Sequence, residues 1–156
     1  MGIAITLKEY FDNHGTAYEL IPHPRTTSTL ESSEVAHIPG DRMVKGVLLG
    51  DQDHYLLALI PATHHLNIGR VNQILGCKLE LITEDELASA FSDCEVGAIP
   101  PVGEAYGIDT LLDSSLADKS ELYLESGDHS VLIRVAGSTF MDLAGKRESV
   151  AISEHL

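Results

Sequence analysis

Two apolar runs separated by a short polar turn dominate the hydrophobic pattern of this chain. Residues 43–49 and 54–60 are rich in Val, Ile and Leu, and the segment 50–53 between them reads Gly-Asp-Gln-Asp. Apolar runs of this length, bounded by turn residues, are typical of strands joined in a β-hairpin. The pattern therefore predicts that these two segments pair with each other.

Helical spacing and cap residues mark the other elements. Asn67 is a good first residue for a helix over 67–75 that ends at Gly76, and Thr83 opens a capping box. Further helices are predicted over 6–13 with Thr6 as the cap, 34–37, 83–91, 114–119, and from 138 or 139 to Gly145. Further strands are predicted over 18–21, 79–82, 110–112, 122–125 and 131–135, and a polar loop over 25–33. Strands and helices mix without strict β-α-β alternation, which favours an α+β domain around a mixed, curved sheet.

Length and composition indicate one ordinary domain over residues 1–156. The chain is 44% hydrophobic, which is enough to form a core. No apolar run reaches the length of a membrane span, and the first residues lack the pattern of a signal peptide. We therefore expect a cytoplasmic protein that does not bind a membrane.

The net charge of −14 limits the possible partners. Ten basic residues face 24 acidic ones, and general binding to nucleic acid depends on many contacts between basic side chains and phosphates. The sequence therefore excludes a generic DNA-binding surface. Any contact with RNA has to be local, or a partner protein has to supply the affinity.

Metal and cofactor sites are not predicted. Cys77 and Cys94 lack metal-ligand spacing, so reduced thiols are the default, although a disulfide between them stays open. The adjacent His64 and His65 do not form a two-ligand clamp, and no HExxH, GxSxG or phosphate-binding glycine motif is present. We expect neither a metal nor a cofactor.

The segment 97–103, Gly-Ala-Ile-Pro-Pro-Val-Gly, combines fixed and permissive backbone. Its two prolines fix φ and remove two N–H donors, while its glycines permit positive φ and close approach of a ligand. One interpretation is a rigid turn between two elements. The other is a preformed wall whose N–H groups hold a substrate carbonyl or oxyanion.

Three further places carry candidate chemistry. Lys45 lies in the strand 43–49 among apolar neighbours, next to Gly46, which suggests a lysine facing a pocket rather than solvent. The loop segment 26–29 offers four hydroxyl groups, either as helix caps or as contacts to a polar ligand. His129 precedes a strand, where it either caps a turn or stands at a pocket rim.

These pieces occur in a recognisable order. The order is His23-Pro24, the Thr/Ser loop, 44–49, Pro61, 75–78, 97–103, Asp113, Gly127 and 140–143. This ordered set, across residues 18–145, resembles the YbaK/ProX family of editing domains, which is related to the insertion domain of bacterial prolyl-tRNA synthetases. The resemblance implies an α+β fold with a mixed, barrel-like sheet and hydrolysis of the ester that joins a wrong amino acid to tRNA. It implies Cys-tRNA(Pro), Ala-tRNA(Pro) or a similar species as substrate, and it makes the 3′ end of an aminoacyl-tRNA and an aminoacyl-tRNA synthetase candidate partners.

The resemblance also assigns roles to residues. The expected catalytic residues are Lys45, Gly97, Ala98 and His129, with Lys45 holding the terminal adenosine phosphate or the carbonyl group. The expected substrate-binding residues are Thr27, Ser28, Thr29, Ile99, Pro100, Pro101 and Gly103. Ala98 replaces a glycine of some relatives, and Pro100 stands where a serine can occur, so both bear on substrate choice.

Two other functions remain open at this point. The strongly negative charge favours a non-catalytic module of the same fold, which binds a ligand or tRNA as a sensor or regulator. The histidines admit a metal-dependent hydrolase. The expected site differs from both because an aminoacyl ester lies beside a ribose hydroxyl that assists its own hydrolysis.

Overall fold

The predicted hairpin forms the middle of a mixed eight-stranded sheet in the computed structural model, which describes residues 2–26, 28–144 and 149–156. The strands are β1 (Glu19–Pro22), β2 (Met43–Gly50), β3 (Tyr55–Pro61), β4 (His64–Leu66), β5 (Glu80–Leu81), β6 (Asp109–Asp113), β7 (Glu121–Glu125), β8 (Val131–Ala136), β9 (Ser149–Val150) and β10 (Ser153–His155). Their order is β1-β8-β7-β2-β3-β6-β9, with β5 on β2, while β4 and β10 form a separate pair. The α+β class with a mixed sheet is confirmed.

Both faces of the central hairpin are covered, which explains its nearly continuous apolar sequence. Leu57 and Leu59 of β3 join the larger core cluster, whereas Ala58 and Ile60 face a second cluster on the other side. β2 and β3 are antiparallel, and each has a parallel neighbour on its outer edge. Lys45, which pairs with Ile60, therefore lies on a rigid strand in the middle of the sheet.

The helices are α1 (Ile5–His14), α2 (Thr29–Val35), α3 (Ile68–Leu75), α4 (Glu84–Ala90) and α5 (Gly137–Leu143). The caps of α3 and α4 are confirmed. The Asn67 side chain accepts a hydrogen bond from the Arg70 N–H, Gly76 ends α3 in a left-handed conformation, and Thr83 accepts from the Glu86 N–H. The predicted end of α5 at Gly145 lies outside the described residues.

Three predicted helix starts were wrong, those of α1, α2 and α5, and the last of these helices begins at Gly137 instead of at 138 or 139. α1 begins after Ala4, and the N–H of Thr6 donates to the Asp93 carboxylate at 2.8 Å instead of Thr6 acting as the cap. α2 begins within the segment that was predicted as a loop, because the Ser28 side chain caps it by accepting from the Glu31 N–H. The α2 prediction was wrong because the polar sequence indicated a solvent-exposed loop, whereas Ser32 and Ser33 of α2 are buried.

Three short strands were missed. β4 and β10 pair with each other in antiparallel register, and β9 adds to the edge of β6. His64 and His65 give β4 no apolar pattern, and its partner lies about ninety residues further along the chain. Only long-range pairing creates these strands, so the local sequence carries little signal for them.

Three features of the described residues concern membrane-spanning helices, metal sites and cysteine pairing. No helix among them is long and apolar enough to cross a membrane. No group of His, Cys, Asp and Glu side chains among them has the arrangement of a metal site. Cys77 and Cys94 are both free thiols.

Candidate active site

A cleft of about 300 Å³ brings together several residues that the sequence singled out. Its lining consists of Ser28, Thr29, Leu30, Lys45, Gly46, Ala62, Leu87, Gly97, Ile99 and Leu156. Lys45 and Gly97 thus face one common cavity, although they lie on different elements. This juxtaposition is the central requirement for a site built from the lysine strand and the proline-containing loop.

Lys45 is a partly buried cation in the wall of this cleft. Five other basic side chains form ion pairs with acidic neighbours. Lys45 forms none with any residue that the structure describes. In a chain with a net charge of −14, a cation inside a cleft without an acidic partner is available to a negatively charged or strongly polar ligand.

The backbone at Gly97 is the second functional part of the cleft. Gly97 has a φ of +87°, a conformation that favours glycine over any other residue. The Ala98 N–H donates to the Glu95 carbonyl oxygen at 3.1 Å. The N–H groups of Gly97 and Ile99, in contrast, have no acceptor within the described parts of the chain. Both residues line the cleft, and an unpaired backbone N–H is the kind of group that stabilises an oxyanion.

The rest of the loop supports these residues from behind. Ala98, Pro100, Pro101 and Gly103 are buried and do not belong to the cleft lining. A Cβ atom on Gly103 would meet the Ile108 carbonyl oxygen at 2.6 Å, so this glycine is required for packing. The substrate contacts expected for these four residues stay predictions, and what the geometry supports is a role in shaping the loop.

His129 also lies behind the cleft wall. Its side chain is buried, and its Nε2 atom lies 2.5 Å from the Val96 carbonyl oxygen. Because a carbonyl oxygen only accepts hydrogen bonds, Nε2 carries the proton. The predicted catalytic role of His129 stays a prediction, since in this geometry it acts on the backbone next to Gly97 and not on the cavity.

Glu95 joins three segments around the site. Its carboxylate accepts from the His129 N–H at 2.8 Å and from the Arg25 guanidinium at 2.9 Å. The His129 N–H, followed by Arg25, lowers the pKa of Glu95. Its own N–H donates to the Gly127 carbonyl oxygen at 2.8 Å. One carboxylate therefore fixes the Gly97 loop to the β7–β8 turn and to the segment before α2.

The hydroxyl-rich segment is divided by the fold. Ser28 and Thr29 line the cleft, whereas Thr26 is buried, and Thr27 lies outside the described residues. Ser28 also caps α2, so the capping interpretation is confirmed for this residue, whereas its contact to a polar ligand stays a prediction. Its position at the cleft is consequently tied to the start of the helix.

Four apolar residues of the cleft were missed by sequence reasoning. They are Leu30, Ala62, Leu87 and Leu156. Leu156 reaches the cleft because its N–H donates to the Thr63 carbonyl oxygen at 2.9 Å, directly after β10. Apolar wall residues resemble core residues in a sequence, so no pattern could have identified them.

A match to a family profile shows which protein family the chain belongs to. The profile of the aminoacyl-tRNA editing domain matches residues 23–143, a span that includes Lys45, the Gly97 loop and His129. The chain belongs to the aminoacyl-tRNA editing domain family.

Relatives with known names agree with this assignment. The editing domain is 23% identical over 106 residues to a proline–tRNA ligase of Bacillus cereus, covering 68% of this chain and 19% of the ligase. It is 29% identical over 121 residues to a proline–tRNA ligase of Macrococcus caseolyticus, covering 67% of this chain and 21% of the ligase. The chain thus spans about a fifth of the length of the curated relatives it matches.

A solved structure shares the fold of the whole editing domain. It is a crystal structure of a proposed trans-editing enzyme for prolyl tRNA synthetase, with a TM-score of 0.84 and 20% sequence identity. The superposition covers 97% of this chain and 96% of that chain. The fold described above is therefore a known architecture.

A larger open groove elsewhere on the editing domain does not fit a phosphate-rich ligand. This groove has a volume of about 820 Å³ and lies between the β2–β3 turn and the β5–α4 segment. Asp51, Asp53, Glu80 and Glu86 line it, with Lys78 as its single Lys or Arg among the residues described. Repulsion by these carboxylates disfavours tRNA, so the smaller cleft around Lys45 is the candidate active site.

Proposed function

We propose that this editing domain hydrolyses the ester bond of a mischarged aminoacyl-tRNA, with Cys-tRNA(Pro), Ala-tRNA(Pro) or a similar species as substrate. The observation that carries the proposal is the cleft in which Lys45, without an ion-pair partner among the described residues, faces the Gly97 loop. The site would act on a separate aminoacyl-tRNA, in trans, in the cytoplasm. The substrates and partners come from the family resemblance and from the synthetase relatives.

The chemistry requires little beyond positioning. Water attacks the ester carbonyl carbon, negative charge develops on the carbonyl oxygen, and the ribose oxygen leaves with a proton. Free amino acid and intact tRNA are the products. The ribose hydroxyl next to the ester is held close enough to assist proton transfer, so no side-chain nucleophile is needed.

Specific groups of the cleft match these needs. The Lys45 ammonium group would bind the terminal phosphate or the carbonyl oxygen. The N–H groups of Gly97 and Ile99 would stabilise the developing oxyanion, because fixed backbone dipoles need no reorganisation during the reaction. Leu30, Leu87 and Leu156 would form the apolar side of the cleft and limit the entry of bulk water.

A deacylation assay tests the proposal directly. Purified protein is incubated with tRNA(Pro) charged with Ala, Cys or Pro, and with a second tRNA charged with the same amino acids. We expect faster loss of at least one mischarged species than in the protein-free control, with Pro-tRNA(Pro) spared. Absence of hydrolysis on the whole panel by folded protein would refute the proposal.

Charge supports a second candidate, a binding module without turnover. Five basic side chains are already held in ion pairs and the net charge is −14, so few phosphates can be bound. A stable aminoacyl-adenosine analogue distinguishes the two candidates. Saturable binding of this analogue without hydrolysis of any aminoacyl-tRNA would favour the module, and tRNA hydrolysis would exclude it.

A further inference from the structure

Glu125 is a carboxylic acid in the protein interior that the proposed chemistry does not use. It is the last residue of β7, and only 1% of its surface is exposed. Within the described parts of the chain, neither carboxyl oxygen has a hydrogen-bond partner of good geometry. Glutamate is rarely buried to this extent unless it is paired or neutral, so its position calls for a reason.

Ser32 of α2 carries the hydroxyl group next to this carboxyl group. The Ser32 hydroxyl contacts the Ser28 carbonyl oxygen at 3.0 Å and the Thr26 hydroxyl at 2.5 Å. Thr26 in turn contacts the His129 carbonyl oxygen at 3.2 Å. These contacts connect Glu125 to the segment that places Ser28 at the cleft.

The number of hydroxyl protons near Glu125 indicates whether its carboxyl group is neutral or ionised. Ser32 and Thr26 each have one hydroxyl proton. These two protons already serve three contacts, namely those to the Ser28 and His129 carbonyl oxygens and the short contact between the two hydroxyls. An ionised Glu125 could therefore accept a hydrogen bond from Ser32 only if the Ser32 hydroxyl gave up its contact to the Ser28 carbonyl oxygen or to Thr26. A neutral Glu125, in contrast, has its own proton to donate to the Ser32 oxygen, which still has a free lone pair.

The electrostatic surroundings favour the same form. Burial raises the pKa of Glu125 to about 8, the Ser32 hydroxyl acts in the opposite direction, and the charge of Asp128 raises it further. The other charged or titratable groups on the surrounding segments are His23 and Arg25 after β1, Glu31 and Glu34 of α2, Glu95 before Gly97 and His129 in the β7–β8 turn. The carboxyl group is therefore neutral at pH 7.

We propose that Glu125 is a positioning residue for the cleft: its neutral carboxyl group supports Ser32 and, through Ser32, the start of α2 that carries Ser28 and Thr29. This inference rests on the proposed function only for its effect on catalysis. The structural effect on α2 is independent of any activity. Loss or ionisation of the carboxyl group would leave a buried polar group without a suitable partner and would loosen the start of α2.

Hydrogen exchange measures the structural effect without substrate. We compare wild type, Glu125→Gln, Glu125→Ala and the control Glu121→Gln, which alters the partly exposed first residue of the same strand. The readout is the rate of amide hydrogen exchange in peptides covering 28–38, divided by the rate in peptides covering 68–75. The second set contains α3 and corrects for the pH dependence of the intrinsic exchange rate. Glu125→Ala should speed exchange in 28–38 by about tenfold, while Glu125→Gln and Glu121→Gln should not.

The pH dependence of hydrogen exchange distinguishes support of α2 by the neutral Glu125 carboxyl group from simple packing of the side chain. In wild type, exchange in 28–38 relative to 68–75 should rise as the pH passes through about 8, where Glu125 ionises. Glu125→Gln should remove this rise because an amide keeps a donor and never ionises. The Gln comparison stays informative even if Glu125→Ala does not fold. Equal profiles for wild type and Glu125→Gln, or unchanged exchange in a folded Glu125→Ala, would overturn the proposal.

Deacylation kinetics test the catalytic consequence. With an active wild type, kcat/KM of Glu125→Gln should stay near the wild-type value at pH 7 and should exceed it above about pH 8. If wild type hydrolyses no mischarged tRNA, the proposed function fails, and the exchange experiment alone decides the role of Glu125. If exchange changes as expected and kcat/KM of an active enzyme does not, the catalytic part of the inference is wrong.

Discussion

The Nε2 atom of His129 lies 2.5 Å from the carbonyl oxygen of Val96, the residue directly before Gly97. This contact ties a buried imidazole to the backbone that turns into the cleft. It gives His129 a way to affect the reaction without touching the substrate.

His129→Ala should therefore lower activity through the loop. Removing the donor leaves the Val96 carbonyl oxygen without its partner and frees Gly97, so we expect kcat/KM for deacylation to fall about tenfold. His129→Gln, whose amide can donate to the same carbonyl oxygen, should recover part of the loss. Single-turnover deacylation checks both variants. Equal losses in both would instead favour a direct proton-transfer role for the imidazole.

Lys45→Ala should reduce kcat/KM by about 100-fold, because it removes the positive charge that we propose binds the substrate in the cleft. The measurement is deacylation at limiting substrate, together with thermal unfolding. Lys78→Ala is the matched control, since Lys78 is an exposed lysine in the acidic groove. Its rate should stay at the wild-type value. A Lys45→Ala protein that unfolds well below wild type would show that the lysine is needed for stability.

Gly97→Ala tests the backbone wall. A Cβ atom at a φ of +87° costs roughly 1 kcal/mol or more, and the loop can relax only by moving its N–H groups. Gly76→Ala creates similar strain at the end of α3, where φ is +65° and nothing lies within 4 Å of the added carbon. Both variants should lose stability in chemical denaturation. Deacylation should fall in Gly97→Ala alone, and equal activity in the two variants would argue against a role for this backbone.

Glu95 should stabilise the protein against acid. Its pKa is lowered by the His129 N–H and by Arg25 from the ordinary value of 4.5. A lowered folded-state pKa contributes stability that is present above pH 4.5 and is lost as the pH falls through the folded value. The unfolding midpoint of wild type should thus drop more steeply below this pH than that of Glu95→Gln. Parallel curves would show that the three-way contact contributes nothing.

The two cysteines should differ in reactivity. Burial raises the pKa of the Cys94 thiol to about 12, with Tyr106 acting against this effect, so almost no thiolate forms at neutral pH. Cys77 is also partly buried, but it lies near the surface after α3. Iodoacetamide with mass spectrometry should modify Cys77 well before Cys94 in the native protein. Equal rates would contradict the packing around Asp93 and Tyr106.

The sequence predicted the elements that local patterns determine. The strands β2 and β3 follow from two apolar runs, and α3 follows from Asn67 and Gly76. The beginning of α2 could not be predicted, because Ser32 and Ser33 look solvent-exposed in the sequence although both are buried in the fold. β4 and β10 depend on each other across the chain, so neither is visible alone.

The sequence likewise identified some residues of the candidate site and missed others. Lys45, Ser28, Thr29, Gly97 and Ile99 were singled out by residue type, by the loop pattern or by the family resemblance, and they line the cleft. Leu156 and Leu87 could not be found, since their place depends on how distant segments meet. Glu125 was missed because a glutamate at the end of a strand ordinarily points to water, and only its depth in the fold shows otherwise.

The pairing of β10 with β4 has a practical consequence for experiments. It leads the chain to Leu156 at the edge of the cleft, so any residues attached after Leu156 start beside Lys45. An affinity tag or fusion partner joined at that point would crowd the cleft that we propose receives the tRNA end. Purification handles for binding and kinetic work on this protein belong at the other terminus.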